Sequence, residues 1–69
     1  AYNGRAYALM RQAKWKDAEA DLTAALKINP KYANAYANRA ACRKRLGDAA
    51  GFAQDAAMAK QMGWPNPIN

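Results

Sequence analysis

The sequence predicts an all-α protein of two stacked antiparallel helical hairpins. Two observations carry that expectation. A block near the start, Tyr2-Asn3-Gly4-Arg5-Ala6, returns 34 residues later as Tyr36-Ala37-Asn38-Arg39-Ala40, and Asp21/Asp55 and Ala25/Ala59 repeat at the same offset. A period in the range of 20–50 residues is the mark of stacked supersecondary units. The apolar residues are dominated by alanine and include no valine. Alanine is the best helix former, β-branched residues favour strands, and a short side chain lets helices approach closely.

Breakers divide each unit into two helices. The first should run from about Ala1 to Gln12, with a turn at Ala13-Lys14, and the second from about Trp15 to Ile28. In the second, Trp15, Ala18, Leu22, Ala25, Leu26 and Ile28 recur mostly three or four apart, which gives one apolar stripe for the core. Asn29-Pro30 ends it, because proline lacks an N–H and disfavours helix in the residue before it. The third helix should span Tyr32 to Leu46. Gly47 can take the left-handed position after a helix end, and Asp48 is a good N-cap for a fourth helix from about Ala49 to Met62. Gly63-Trp64-Pro65-Asn66-Pro67 cannot continue it.

Composition narrows the function. Of the 69 residues, one is cysteine and none is histidine. An internal disulfide and a cysteine zinc cluster are excluded, and the commonest neutral-pH base and metal ligand is missing. No Gly-rich phosphate loop or pair of carboxylates on one face is evident, so the chain does not read as an enzyme, and no cofactor or metal is expected. No apolar run approaches the roughly 20 residues of a membrane span, and no membrane partner is expected. Residues 1–5 do not form a signal peptide and lack an initiator Met, so the string reads as part of something longer. The compartment is not encoded, with the cytoplasm the weak default. The net charge of +6 suits acidic partners.

Tyr2, Ala6, Leu9, Ala18, Leu22, Ala25 and Pro30 together make the first unit resemble the tetratricopeptide repeat (TPR) family. The second unit resembles it through Tyr36, Ala40, Gly47, Asp48 and Ala59. The resemblance implies two repeats, at about 1–32 and 33–62, stacked as a right-handed α-solenoid, with a tail, 63–69, packing as a cap. It implies a scaffold for protein–protein interaction, in which the first helix of each hairpin lines a concave face. The second unit departs from the pattern. Phe52 replaces a small residue, Ala49 and Ala56 replace aromatics, Arg43 replaces a packing aromatic, and Trp64 stands at the family proline. Such an altered unit is expected at the C-terminal end of an array. Trp64 is expected to fold back near Phe52 or Met62, with Ile68 beside it.

Arg5 and Arg39 stand where the family has leucine. Asp21 and Asp55 follow them at equal spacings of 16 residues. In an antiparallel hairpin that spacing brings the side chains together, so two partly buried ion pairs are expected, Arg5–Asp21 and Arg39–Asp55. The alternative is that the arginines face a ligand.

The remaining charges sort by helix. Arg11, Arg43, Lys44 and Arg45 lie on the first and third helices, while every acid lies in or at the start of the second and fourth. A basic inner groove is therefore expected. Its peptide-binding candidates are Asn3, Tyr7, Met10 and Arg11 on the first helix and Asn34, Asn38, Ala41 and Arg45 on the third. Asparagine donates to and accepts from a peptide backbone, arginine grips carboxylates, and Tyr7 and Met10 supply adaptable apolar contact. The expected ligand is an extended, acidic protein segment. Some TPR proteins clamp a C-terminal carboxylate. Asn38 matches the clamp's central asparagine, but Asn3 and Tyr7 replace its first-unit lysine and asparagine, so chaperone tails are not expected.

Two other readings stand beside this one. The chain could be a structural fragment of a longer scaffold. It could be a basic helical-repeat nucleic-acid binder through Arg43-Lys44-Arg45, although Tyr7 is then the one aromatic free to stack. Tyr2 and Tyr36 are expected to be packed, and Cys42 reads as a small core residue, the sharper option being a thiolate beside Arg39 and Arg43. With two alanine-rich units, a homodimer through the first hairpin or further repeats upstream is expected.

Overall fold

The computed structural model describes residues 2–65. Four helices follow one another: α1 (Tyr2–Arg11), α2 (Trp15–Ile28), α3 (Ala33–Arg45) and α4 (Ala49–Gln61). The α1–α2 hairpin and the α3–α4 hairpin stack through α2 and α3, and α1 also touches α3. The protein is all-α, a stack of two helical hairpins.

Alanines allow this packing. Ala6 on α1 and Ala18 on α2 are fully buried, as are Ala40 on α3 and Ala59 on α4. A methyl group at the crossing lets two backbones come together where leucine would hold them apart. One cluster joins Ala6, Ala18, Leu22, Ala25, Leu26, Ala35 and Cys42. Leu9, Met10, Trp15, Tyr32 and Tyr36 pack against it. Ile28 departs from the expected stripe and is 73% exposed. It lies two residues beyond Leu26, which is about 200° around a helix and therefore the opposite side. Tyr2 also departs from expectation and is 40% exposed.

Three helix ends close alike. The N–H of Lys14 donates to the Leu9 carbonyl, that of Asp48 to Arg43, and that of Trp64 to Ala59. One residue earlier, Ala13, Gly47 and Gly63 donate to Met10, Lys44 and Lys60. This double bond pattern requires a left-handed residue at its second donor. Gly47 and Gly63 take φ of 82° and 90°, and Ala13 takes φ of 61°. The end of α2 differs. There Asn29 Oδ1 accepts from the Lys31 N–H across Pro30, turning the chain toward α3. Asp48 caps α4 by accepting from the Gly51 N–H at 2.9 Å.

Candidate functional site

Asn3 and Tyr7 lie one turn apart on α1, and Asn34 and Asn38 lie one turn apart on α3. With Gly4 and Trp64 they line a cleft of about 510 Å³. Three asparagines order one another inside it. Asn38 Nδ2 donates to Asn34 Oδ1 at 2.8 Å and to Asn3 Oδ1 at 3.3 Å. Asn3 Nδ2 donates to Asn34 Oδ1 at 3.3 Å and to the Tyr32 hydroxyl at 3.2 Å. Among the described residues this leaves Asn34 Nδ2 as an unspent donor and Asn38 Oδ1 as an unspent acceptor. Trp64 forms part of this wall. Ile68, expected beside it, lies outside the described residues.

The other nominated residues do not line the cleft. Met10 leans on the core, Ala41 is half-buried on α3, and Arg11 is exposed at the end of α1. Arg45 reaches back instead, its guanidinium carbon 5.4 Å from the centroid of the Trp15 ring. The spacing that puts Asn34 and Arg45 on one stripe also separates them by three turns, roughly 16 Å of helix. None of the six cleft-lining residues is charged.

The arginines with 16-residue partners sit elsewhere. Arg5 Nε and Nη2 donate to the two oxygens of Asp21, both at 2.7 Å. Arg39 Nε and Nη2 grip Asp55 in the same way, both at 2.8 Å. Each guanidinium also lies over a repeat-equivalent ring, Tyr2 or Tyr36, at 5.5 Å. The two pairs differ in burial. The Arg5 side chain is 64% exposed, whereas that of Arg39 is 15% exposed. The expectation of partial burial on both sides therefore does not describe Arg5. Its hydrogen bond and charge hold Asp21 below the ordinary carboxylate range, and Asp21 in turn raises Arg5.

Arg43 was not among the residues singled out for pairing, yet it has the richest set of partners. Its Nε donates to Glu19 Oε2 on α2 at 2.9 Å and lies 4.0 Å from Asp48 Oδ2. Its Nη1 stands 3.0 Å from Asp55 Oδ2 on α4. It thereby ties both hairpins together. Burial pulls its proton affinity down, but the Glu19 hydrogen bond and the charges of Asp55, Glu19 and Asp48 outweigh that and raise it. One sequence signal was available: Arg43 follows Arg39 by four residues, so the two share a face of α3. Gly51 makes room for it, since a Cβ there would come 2.7 Å from Arg43 Cδ and closer still to the Asp48 carboxylate.

Cys42 is fully buried, and that burial, with the Glu19 charge behind it, pushes its thiol up to about 11. A thiol in that state is a small hydrophobe at neutral pH. Among the described residues no three His, Cys, Asp or Glu side chains converge as a metal site would require. Among the described residues no helix is long and apolar enough to cross a membrane.

No protein-family profile matches the chain. No solved structure matches it. Over 39 residues the chain is 51% identical to Hsp70-Hsp90 organizing protein 1 of Glycine max, a stretch that covers 56% of this chain and 7% of that protein.

Proposed function

We propose that this chain is a tetratricopeptide-type protein-interaction module. Its repeats are residues 1–32 and 33–62, its tail 63–69 serves as a cap, and it holds an extended segment of a partner protein in the cleft between α1 and α3. The observation that carries this reading is the unspent pair Asn34 Nδ2 and Asn38 Oδ1. A helix uses up its own backbone N–H and C=O groups, whereas an extended strand offers both along each edge. A fixed donor beside a fixed acceptor is complementary to one peptide unit of such a strand. Tyr7 and Trp64 supply aromatic walls for its side chains. The net charge of +6 favours acidic segments by steering at a distance.

The similarity to a protein named for organizing Hsp70 and Hsp90 supports a chaperone as the partner. With no cation lining the cleft, engagement is through peptide backbone and not through a terminal carboxylate. The test is titration of purified Hsp70, of Hsp90 and of a labelled extended acidic peptide into the parent chain and an Asn34→Ala/Asn38→Ala variant. Two lost hydrogen bonds of about 1 kcal/mol each should weaken binding at least several-fold. Equal affinity for parent and variant would end this reading.

A further inference from the structure

At the turn end of the molecule, where α1 hands over to α2 and α3 to α4, lies a second concavity of about 330 Å³. Ala13, Lys14, Trp15, Lys16, Asp17 and Leu46 wall it. It shares no residue with the asparagine cleft.

Its floor is apolar. Trp15 packs on the core from one side, and Leu46 is 43% exposed. Its rim is cationic. Lys14 and Lys16 flank the Trp15 backbone, and Arg45 lies over the Trp15 ring at 5.4 Å. None of these three cations is in an ion pair among the described residues. The acids that might have neutralised them are engaged elsewhere: Asp21 with Arg5, and Glu19, Asp48 and Asp55 around Arg39 and Arg43. Asp17 is the one carboxylate in the wall.

We propose that this depression is a second binding site, which takes an acidic protein segment carrying one bulky apolar residue. The apolar side chain rests against the Trp15 edge and Leu46, and flanking carboxylates meet Lys14, Lys16 and Arg45. Charge complementarity selects the acidic neighbours. The guanidinium of Arg45 lies over the indole and is in no ion pair among the described residues, which leaves N–H donors for a bidentate carboxylate. The shape decides against two other anionic partners. A nucleic-acid base needs an open aromatic face, and Trp15 has the core on one side and Arg45 on the other. A lipid surface takes up the continuous apolar face of an amphipathic helix, and here the apolar surface comes from two separate helix ends, Trp15 and Leu46.

The test uses the full chain carrying Trp64→Phe, so that Trp15 is the one indole reporter. The probes are an acidic peptide with a central phenylalanine, the same peptide with alanine there, and a single-stranded oligonucleotide. The expected result is a saturable change in Trp15 emission with the phenylalanine peptide. Affinity should be roughly tenfold weaker for the alanine peptide and for a Lys14→Glu/Lys16→Glu variant of unchanged helicity, since burial of an aromatic side chain is lost in the one and charge attraction in the other. Asn34→Ala/Asn38→Ala should leave this affinity unchanged, which separates the site from the cleft. The proposal is overturned by an absence of saturable change, by equal affinity for the two peptides, by tighter binding of the oligonucleotide, or by loss of binding in the asparagine variant.

Discussion

At the scale of residues, the two 16-residue pairs have the same chemistry and unequal consequences. Asp55 is 1% exposed and is gripped by both Arg39 and Arg43, whereas Asp21 faces an arginine that is mostly in water. Breaking a buried pair strands a charge where water cannot reach it, and breaking an exposed one does not. Asp55→Asn should therefore cost on the order of 3 kcal/mol, a large share of the stability of a small domain, and Asp21→Asn about 1 kcal/mol. Urea denaturation of both variants checks this, and equal losses would contradict it. Spacing along the string, read with an antiparallel hairpin in mind, is enough to set Arg5 opposite Asp21 and Arg39 opposite Asp55. The same string does not show Arg43 meeting Glu19, Asp48 and Asp55, because these partners come from two other helices at separations with no period. Nor does it show Arg45 leaving its stripe for Trp15. A long side chain at a helix end goes to the nearest ring, and that ring belongs to another hairpin.

At the scale of elements, the helices were legible almost to the residue. The expected second helix, Trp15–Ile28, is α2 as observed; the third helix, and the C-terminal ends of the first and fourth, differ by one residue, and Ala1, the expected start of the first, lies outside the described residues. Proline, glycine and Asp48 mark those ends chemically. Ala13 is the exception: nothing in an alanine announces φ of 61°, although its repeat equivalent, Gly47, does. A Cβ in the left-handed region crowds the following carbonyl, at a cost of about 1–2 kcal/mol that glycine avoids, offset in part by glycine's greater freedom in the unfolded chain. Ala13→Gly should accordingly stabilise the protein by about 0.5–1 kcal/mol. Thermal melting followed by circular dichroism measures it, and an unchanged or lower midpoint would count against the strained turn.

At the scale of the whole molecule, two hairpins with alanine-rich contacts bury little apolar surface per residue. One end of the first hairpin leaves apolar surface open. Tyr2, Ala25, Ile28 and Tyr32, with Asn3 and Asn29, line a depression of about 310 Å³. We expect the isolated chain to cover this end by pairing with a second copy. Sedimentation should then show a concentration-dependent species, and Ile28→Lys should shift it to monomer. A strictly monomeric parent chain at all concentrations would refute the pairing. The fold class was legible because a repeat states its own architecture. The cleft was legible in part. Asn3, Tyr7, Asn34 and Asn38 meet because equivalent helices of stacked hairpins lie side by side. Trp64 joins them through the left-handed turn at Gly63, a direction that sequence alone does not give.

The Arg43–Glu19 contact gives the stack a direction. Along the 34-residue offset Arg43 corresponds to Leu9, and Glu19 to Ala53. If the first hairpin were joined to a copy of itself, Leu9 would face Glu19. If the second were joined to a copy of itself, Arg43 would face Ala53. The first of those joints leaves Glu19 opposite an apolar residue, and the second costs Arg43 its hydrogen bond across the joint while Asp48 and Asp55 of its own hairpin still face it. The junction therefore works as a keyed connector: the two units are alike enough to stack and different enough that the order of stacking matters. An array built by concatenating either hairpin alone would carry the defect at every joint.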